Sequence, residues 1–583
     1  MTRFFKVGLS SIVAIGMTGM SVTAEVTGAR LEAANTEAEM ANWLMVHKSY
    51  DSNRYSTLNQ INKSTIGDLS LAFAIPVGGY EPSGFGMGYM EGTPLVDDGF
   101  MYISDPWGTP YKVDVSSGTH GRVLWVCDTD IEKDATAGVL LVNRGLALSG
   151  NNVISALVDG RVVACDADTG EVVWDEKIGS DTGEGFTSAP LAFDDDKVLV
   201  GQSFGDWATR GWLAALDSNT GEELWRFYTI PEPGMPGSET WKCEETGNPD
   251  CWKTGGASLW VTGSFDPETR TTYWGTGNPV PMFDPEFRPG DNLFSNSTVA
   301  VDVDSGELNW HFQYTPGDYL DYDEVGIQLL MDVNIDGEDR KVLSHFGRNG
   351  IFYSLDRNNG SYIQSAVYVN EMDWTEGIDP KTGMPLEYDP SKSLQTYATK
   401  ALRRGEGKVE HCPHMGGGVN FYPTGYNPVS GTAYGAGMEG CSWVEAAETD
   451  PDEIPAGVVI LGGTFAATEA GTSGSIAALD VATGMETAKL QTPFPNNSGV
   501  LVTQDLVWTG HLDGTISAHD GTTLETVWSQ NVGTAFRAPP MTYAVDGKQY
   551  IAIAGGNIGS NHGGREELVN MQAANMIWVF SLN

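Results

Sequence analysis

The chain has 583 residues, 40% of them hydrophobic, and a formal net charge of −44. That is enough to bury a large core, and length alone suggests several domains. The acids are spread along the whole chain, which argues against a nucleic-acid partner because phosphate binding needs a basic face. The charge reads first as a solubility device and second as a field that steers cationic partners inward.

Residues 1–24 read as a secretory leader. Arg3 and Lys6 open it, 7–20 are apolar and small, and Val22-Thr23-Ala24 forms a small-residue cleavage site before Glu25. The alternative is a membrane anchor, but the run is shorter than the ~20 residues a span requires. Residues 25–583 are therefore expected to be exported, most simply to a bacterial periplasm, without membrane insertion. The best helical candidate follows at 36–48. Six cysteines lie beyond the leader, and an exported chain can form disulfides. Cys243 and Cys251 flank a short loop holding Gly247-Asn248-Pro249 and are expected to pair. Cys412 and Cys441 are the next pair. Cys127 and Cys165 each end a strand-like run and read as buried thiols. No Cys-x-x-Cys-His occurs, so no covalent c-type haem is encoded in this sequence.

One pattern recurs along the chain: apolar residues, Asp, two residues, a small residue, Gly, then an apolar run ending in Trp. It appears at Val113-Asp114 with Gly118 and Trp125, at Cys165-Asp166 with Thr169-Gly170 and Trp174, and at Leu216-Asp217 with Thr220-Gly221 and Trp225. Val301-Asp302 with Ser305-Gly306 and Trp310 follows. Leu355-Asp356 with Gly360, and Leu479-Asp480 with Thr483-Gly484, lack the Trp; His519-Asp520 with Trp528 lacks the Gly. Each unit reads as a hairpin whose turn is the Asp-to-Gly segment. The Trp is placed to pack between units. Seven units plus a degenerate one predict an all-β chain, an eight-bladed β-propeller with tryptophan-docking repeats, seven blades being the runner-up. Residues 577–582 are expected to close the ring beside 69–75. Irregular insertions at 78–92, 229–258, 280–297, 367–420 and 440–460 are rich in Gly, Pro and aromatics. Nothing marks a second domain in 25–583.

The chemistry concentrates between 260 and 348. Trp260, Gly275-Thr276-Gly277-Asn278-Pro279, Arg288-Pro289-Gly290-Asp291-Asn292, Leu320-Asp321-Tyr322-Asp323-Glu324 and Arg348-Asn349-Gly350 place an amide, carboxylates, a guanidinium and a large aromatic at the ends of short strand-like runs. Oxygen donors of this kind suit a hard cation and not zinc or copper. The aromatic and the guanidinium suit a flat anionic ligand beside it.

The repeat and these motifs together resemble the quinoprotein alcohol dehydrogenases. That family comprises periplasmic eight-bladed propellers that bind pyrroloquinoline quinone (PQQ), the methanol dehydrogenase large subunit among them. The resemblance covers nearly all of 25–583, from Arg54-Tyr55-Ser56-Thr57-Leu58-Asn59-Gln60-Ile61-Asn62 to Pro540-Met541-Thr542-Tyr543 and Gln549-Tyr550-Ile551-Ala552. It implies that Asp206, Asn278, Asp321 and Asp323 hold one calcium or lanthanide ion. It implies that Trp260 is the stacking floor for PQQ, and that Glu91, Arg144, Thr187, Ser203 and Asn420 bond its edge. Asp321 would be the general base for the substrate hydroxyl and Arg348 the residue facing the reactive quinone oxygens. Hydride would pass from an alcohol, polyol or sugar to the quinone. Electrons would leave to a separate soluble cytochrome c or similar carrier, and a homodimer is compatible with the class.

Several places depart from the family. Asp206 stands where Glu is usual, one methylene shorter. Asp323 adds a carboxylate, as in the lanthanide-dependent members, so the two features pull the metal assignment in opposite directions. Gly138 and Val139 stand where many members carry adjacent cysteines over the quinone. Cys412 and Cys441 match a family disulfide, and His411-x-x-His414 beside them reads as structural. Asn497 falls where many members carry a large aromatic near the pocket. The missing cysteine pair and the long 367–420 insertion suggest room for substrates larger than methanol, and Asn497 points the same way. The competing reading is a non-catalytic propeller scaffold of the cell envelope, which has no use for Asn278, Asp321, Arg348 and Trp260 in this order.

Overall fold

The computed structural model describes residues 25–79, 82–83, 86–131, 133, 140–180, 183–398, 400–454, 457–558 and 565–583. The leader 1–24 and the Gly138-Val139 position lie outside the described residues. The described chain is an all-β propeller. Among these residues eight sheets contain four or five strands. All strand pairs within them are antiparallel, so the start of the first strand and the end of the second lie at one end of each sheet.

The sheet after Glu91 shows the pattern: Leu95–Asp97, Phe100–Ser104, Pro110–Asp114 and Arg122–Val126. The first strands are buried. The fourth is exposed along most of its length, as is Val172–Lys177, and Glu223–Tyr228 is exposed or half-buried throughout. Charged residues on these outer strands blunt edges that would otherwise pair with other chains. The last sheet is completed from both ends of the chain. Met576–Leu582 pairs antiparallel with Leu69–Pro76, with Leu69 opposite Leu582 and Ile75 opposite Ile577, as expected from the sequence.

The recurring Asp and Gly have a local cause. Asp166 Oδ1 accepts from the Thr169 backbone N–H at 2.8 Å, and the Gly170 N–H donates to Asp166 O at 2.8 Å. Gly170 has φ 74°, and an added Cβ would lie 2.7 Å from the Trp125 ring of the preceding sheet. The indole N–H of Trp125 donates to Ala167 O, that of Trp174 to Ser218 O, that of Trp225 to Val303 O and that of Trp310 to Arg357 O, at 3.0–3.2 Å. Each bond runs to the next sheet. Where the fifth sheet lacks the Trp, Gln364 reaches Val481 O at 2.7 Å instead.

Residues 43–56 thread the middle of the ring. Trp43 bridges Val96, the Tyr50 hydroxyl donates to Ala192 O, and Phe265 and Leu330 donate backbone N–H groups to Tyr50 O and Asp51 O. The buried Arg54 guanidinium bonds the carbonyls of Val46, Val500 and Pro540. These ties keep 40–48 from being the helix predicted at 36–48, where only a short turn at Glu37–Glu39 forms. A second correction concerns Cys127 and Cys165. They are bonded to each other, as are Cys243–Cys251 and Cys412–Cys441. Cys127 follows the outer strand of one sheet and Cys165 lies in the third strand of the next, and packing of the two sheets brings them together. The spacing of 38 residues carries no trace of this.

Candidate active site

Of the eleven residues singled out from sequence, ten line one cavity of about 290 Å³: Glu91, Arg144, Thr187, Ser203, Asp206, Trp260, Asp321, Asp323, Arg348 and Asn420. The eleventh, Asn278, lies against it and donates its backbone N–H to Asp323 Oδ1. Asn497, expected near the pocket, is buried but is not among the residues lining this cavity. The fold explains the convergence. Glu91, Thr187 and Trp260 each precede the first strand of a sheet by four residues. Asp206, Asn278 and Arg348 follow second strands. Both positions fall at one end of every sheet, so loops distant in sequence meet there.

Carboxylates dominate one side. Arg348 Nη2 lies 2.9 Å from Asp321 Oδ2, and Nη1 lies 2.6 Å from Asp323 Oδ2. Burial and the neighbouring charge of Asp323 push the Asp206 carboxyl up to about 7. Burial also raises Asp321 well above the ordinary range and raises Asp323, although Arg348 opposes both. Burial alone would lower the Arg348 guanidinium, but Asp321 and Asp323 outweigh it and hold it above its ordinary range. Ionising three carboxylates beside one guanidinium in a dry place is costly, and a bound cation would relieve that cost. The backbone is shaped for this. Asp206 sits on a short turn, Gly205–Trp207, flanked by Phe204 at φ 65° and Ala208 at φ 58°. A Cβ on Gly277 would lie 2.8 Å from Asp323 Oδ1, so glycine leaves that oxygen room.

The other side is cationic and aromatic. Arg144 Nη1 donates to Thr187 Oγ1 at 2.6 Å and to Trp260 O at 3.1 Å. The Thr187 N–H donates to Ser203 Oγ at 2.9 Å. The Arg144 guanidinium lies 4.8 Å from the Trp260 ring centre and 4.9 Å from that of Phe421. Its Nε is buried without a hydrogen-bond partner. Asn420 braces its own loop through Gly416 O. An aromatic face, a buried guanidinium with a spare donor and two hydroxyls fit a planar carboxylate-bearing ligand such as PQQ. The oxygen donors of Asp206, Asn278, Asp321 and Asp323 fit a hard cation beside it.

Sequence reasoning assigned no site role to four contributors, although Glu324 lies in a motif it singled out. Arg537, buried in the cavity wall, bonds Glu91 Oε1 through Nε at 3.0 Å and Nη2 at 2.6 Å. Phe421 packs between the two arginines. Glu324 Oε2 accepts the Arg348 N–H at 3.0 Å and contacts His345 Nε2 at 2.8 Å, fixing the loop that carries Arg348. One signal was present: Arg537-Ala538-Pro539-Pro540-Met541 repeats the pattern of Glu91-Gly92-Thr93-Pro94-Leu95 and Thr187-Ser188-Ala189-Pro190-Leu191. His411 is bonded inside the fold, to the Tyr322 hydroxyl at 2.8 Å and Ser442 Oγ at 3.2 Å.

Fold and cavity together define a β-propeller of the quinone-binding class. Residues 43–373 and 462–551 match the family described as glucose/ethanol/alcohol dehydrogenase, beta-propeller domain. The chain is 32% identical over 551 residues to the quinoprotein alcohol dehydrogenase PedH of Pseudomonas putida, covering 91% of this chain and 89% of that one. It is 31% identical over 556 residues to the lanthanide-dependent methanol dehydrogenase of Methylacidiphilum fumariolicum, covering 90% and 86%. The solved quinohemoprotein alcohol dehydrogenase ADHIIG of Pseudomonas putida HK5 superposes with a TM-score of 0.85 at 31% identity, covering 96% of this chain and 82% of that one. The chain belongs to the PQQ-dependent alcohol dehydrogenase family.

Proposed function

We propose that this protein oxidises an alcohol, polyol or sugar to the carbonyl compound using PQQ and one calcium or lanthanide ion. The observation that carries the reading is the meeting of ten residues, drawn from loops between 91 and 420, in one cavity. When bound, the quinone supplies a hydride-accepting carbonyl and the cation supplies Lewis acidity. Asp206, Asn278, Asp321 and Asp323 would hold the cation. Arg144, Thr187, Ser203 and Asn420 would hold the polar edge of the quinone, and Trp260 would cover its face.

The chain's own work is to position and to move a proton. Arg348 occupies Asp321 Oδ2, so Oδ1 is the oxygen that accepts the proton of the substrate hydroxyl. Arg348, on a loop fixed by Glu324, stabilises charge that develops on oxygen. Either metal suits the donor set: Asp323 adds a carboxylate that favours a trivalent ion, and Asp206 is shorter than the usual Glu. The eight sheets are read as eight blades, and the indole bonds between neighbours as the docking that holds them in a ring. The leader supports export to the periplasm, and the missing haem motif supports a separate cytochrome c as acceptor. A homodimer stays compatible.

The test is reconstitution with PQQ plus calcium, or plus a light lanthanide, followed by dye reduction across alcohols, polyols and sugars. Turnover with at least one substrate is expected; none under any pairing, with no quinone retained, sinks the reading. Asp323→Ala separates the metals. Lanthanide-supported turnover should disappear, and unchanged turnover refutes Asp323 as a ligand.

A further inference from the structure

Glu91 is an odd neighbour for an anionic ligand. A carboxylate pointing into a cavity that takes a polycarboxylate should repel it. The structure contains the answer on the opposite side of Glu91. Arg537 bonds Glu91 Oε1 with two N–H groups, and Arg144 Nη2 lies 2.9 Å from Oε2. The glutamate is thus shared between two guanidiniums. Arg537 is held in place by aromatic faces, 4.4 Å from the Tyr89 ring centre and 5.4 Å from that of Phe421.

Counting charge decides what Arg537 adds. Arg144 and Glu91 alone sum to zero. With Arg537 the cluster is net positive, and Arg144 Nε remains unpaired and buried. The pull on Arg144 agrees: burial lowers its pKa, Glu91 opposes that, and Arg537 adds to the drop. A nearby anion would relieve all of this. Position in the fold points the same way. Arg537 precedes the strand Met541–Val545 by four residues, as Glu91 precedes Leu95–Asp97, Thr187 precedes Leu191–Phe193 and Trp260 precedes Ser264–Asp266. It occupies, in the last sheet, the place from which three other sheets supply the cavity.

We propose that Arg537 is a cofactor-positioning residue. It neutralises Glu91 and so frees Arg144 to bind a carboxylate of the quinone. The proposal rests on the reading that this cavity takes PQQ. Glu91 then acts as the bridge that holds two arginines at a fixed separation, and its own charge is cancelled by the one further from Thr187.

The test is PQQ affinity of the metal-loaded apoprotein, read by quenching of tryptophan fluorescence, without any turnover. Arg537→Ile and Arg537→Gln should each weaken binding about tenfold or more, and Arg537→Lys should stay near wild type. The double variant Glu91→Gln/Arg537→Ile should recover most of the lost affinity, because removing both charges restores Arg144. A purely structural role for Arg537 gives no such recovery. Melting curves confirm that each variant is folded, and Arg537→Gln serves if the isoleucine variant is not. Wild-type affinity in both single variants, or a double variant as weak as Arg537→Ile, overturns the proposal. Wild-type protein that binds no PQQ with either metal overturns the functional reading itself, and the inference with it.

Discussion

Asp321 has a backbone φ of 62°. A non-glycine residue held in that region costs of order 1–3 kcal/mol and persists only where its surroundings over-determine it. Here Arg348 fixes Oδ2, and the buried site raises the carboxyl's affinity for a proton. The strained backbone and the bond to Arg348 hold Asp321 in place, as the role of general base that we propose for it requires. Asp321→Asn keeps the shape and an oxygen for Arg348 but cannot accept the proton. It should lower kcat by roughly 10²–10⁴-fold while PQQ affinity, measured by fluorescence, changes little. Equal losses in both would mean that Asp321 only builds the site. The carboxylates and Trp260, which line the cavity, were readable in sequence because short local motifs there match a family pattern. The roles of Glu324 and His345 were not, because they exist only once the loop carrying Glu324 packs against the strand Glu338–Phe346 and the turn after it.

At the scale of the element, the recurring Trp is worth most where it is covered. Trp174 is buried, donates to Ser218 O at 3.0 Å, and lies against Gly221 of the next sheet. Trp174→Ala should cost about 3–5 kcal/mol, seen as a lower urea midpoint, with the cavity geometry and PQQ affinity kept. A midpoint within error of wild type would mean that these tryptophans do not hold neighbouring sheets together. Hairpins and their Asp-to-Gly turns were legible because the turn chemistry and the apolar runs beside it are written in consecutive residues; the strands themselves are buried or exposed as wholes rather than alternately. The Cys127–Cys165 bond and the non-helical, turn-rich course of 40–48 were not, since both depend on which sheet lies beside which.

At the scale of the whole molecule, residues 43–56 tie the ring from its centre, and His47 lies buried among them. Burial, with Arg54 nearby, lowers its pKa to about 3 from an ordinary 6.5. The unfolded chain therefore takes up the proton first as pH falls. The stability that His47 contributes is present above about pH 6.5 and is lost on the way down to 3, at up to ~1.4 kcal/mol per pH unit. The melting-temperature difference between wild type and His47→Gln should shift against the wild type between pH 6.5 and 5; a constant difference contradicts this. The all-β ring and most of the cavity were legible because repeats and motifs carry them. Arg537 escaped because its meaning depends on Glu91, far away in sequence and adjacent only in the closed ring. The most direct measurement of the central claim is a single turnover under anaerobic conditions, with protein loaded with PQQ and metal and an alcohol added without dye. The quinone absorbance should be replaced by that of its reduced form while a stoichiometric amount of carbonyl product appears. A loaded cofactor that keeps its oxidised spectrum across the whole alcohol and sugar panel would contradict it.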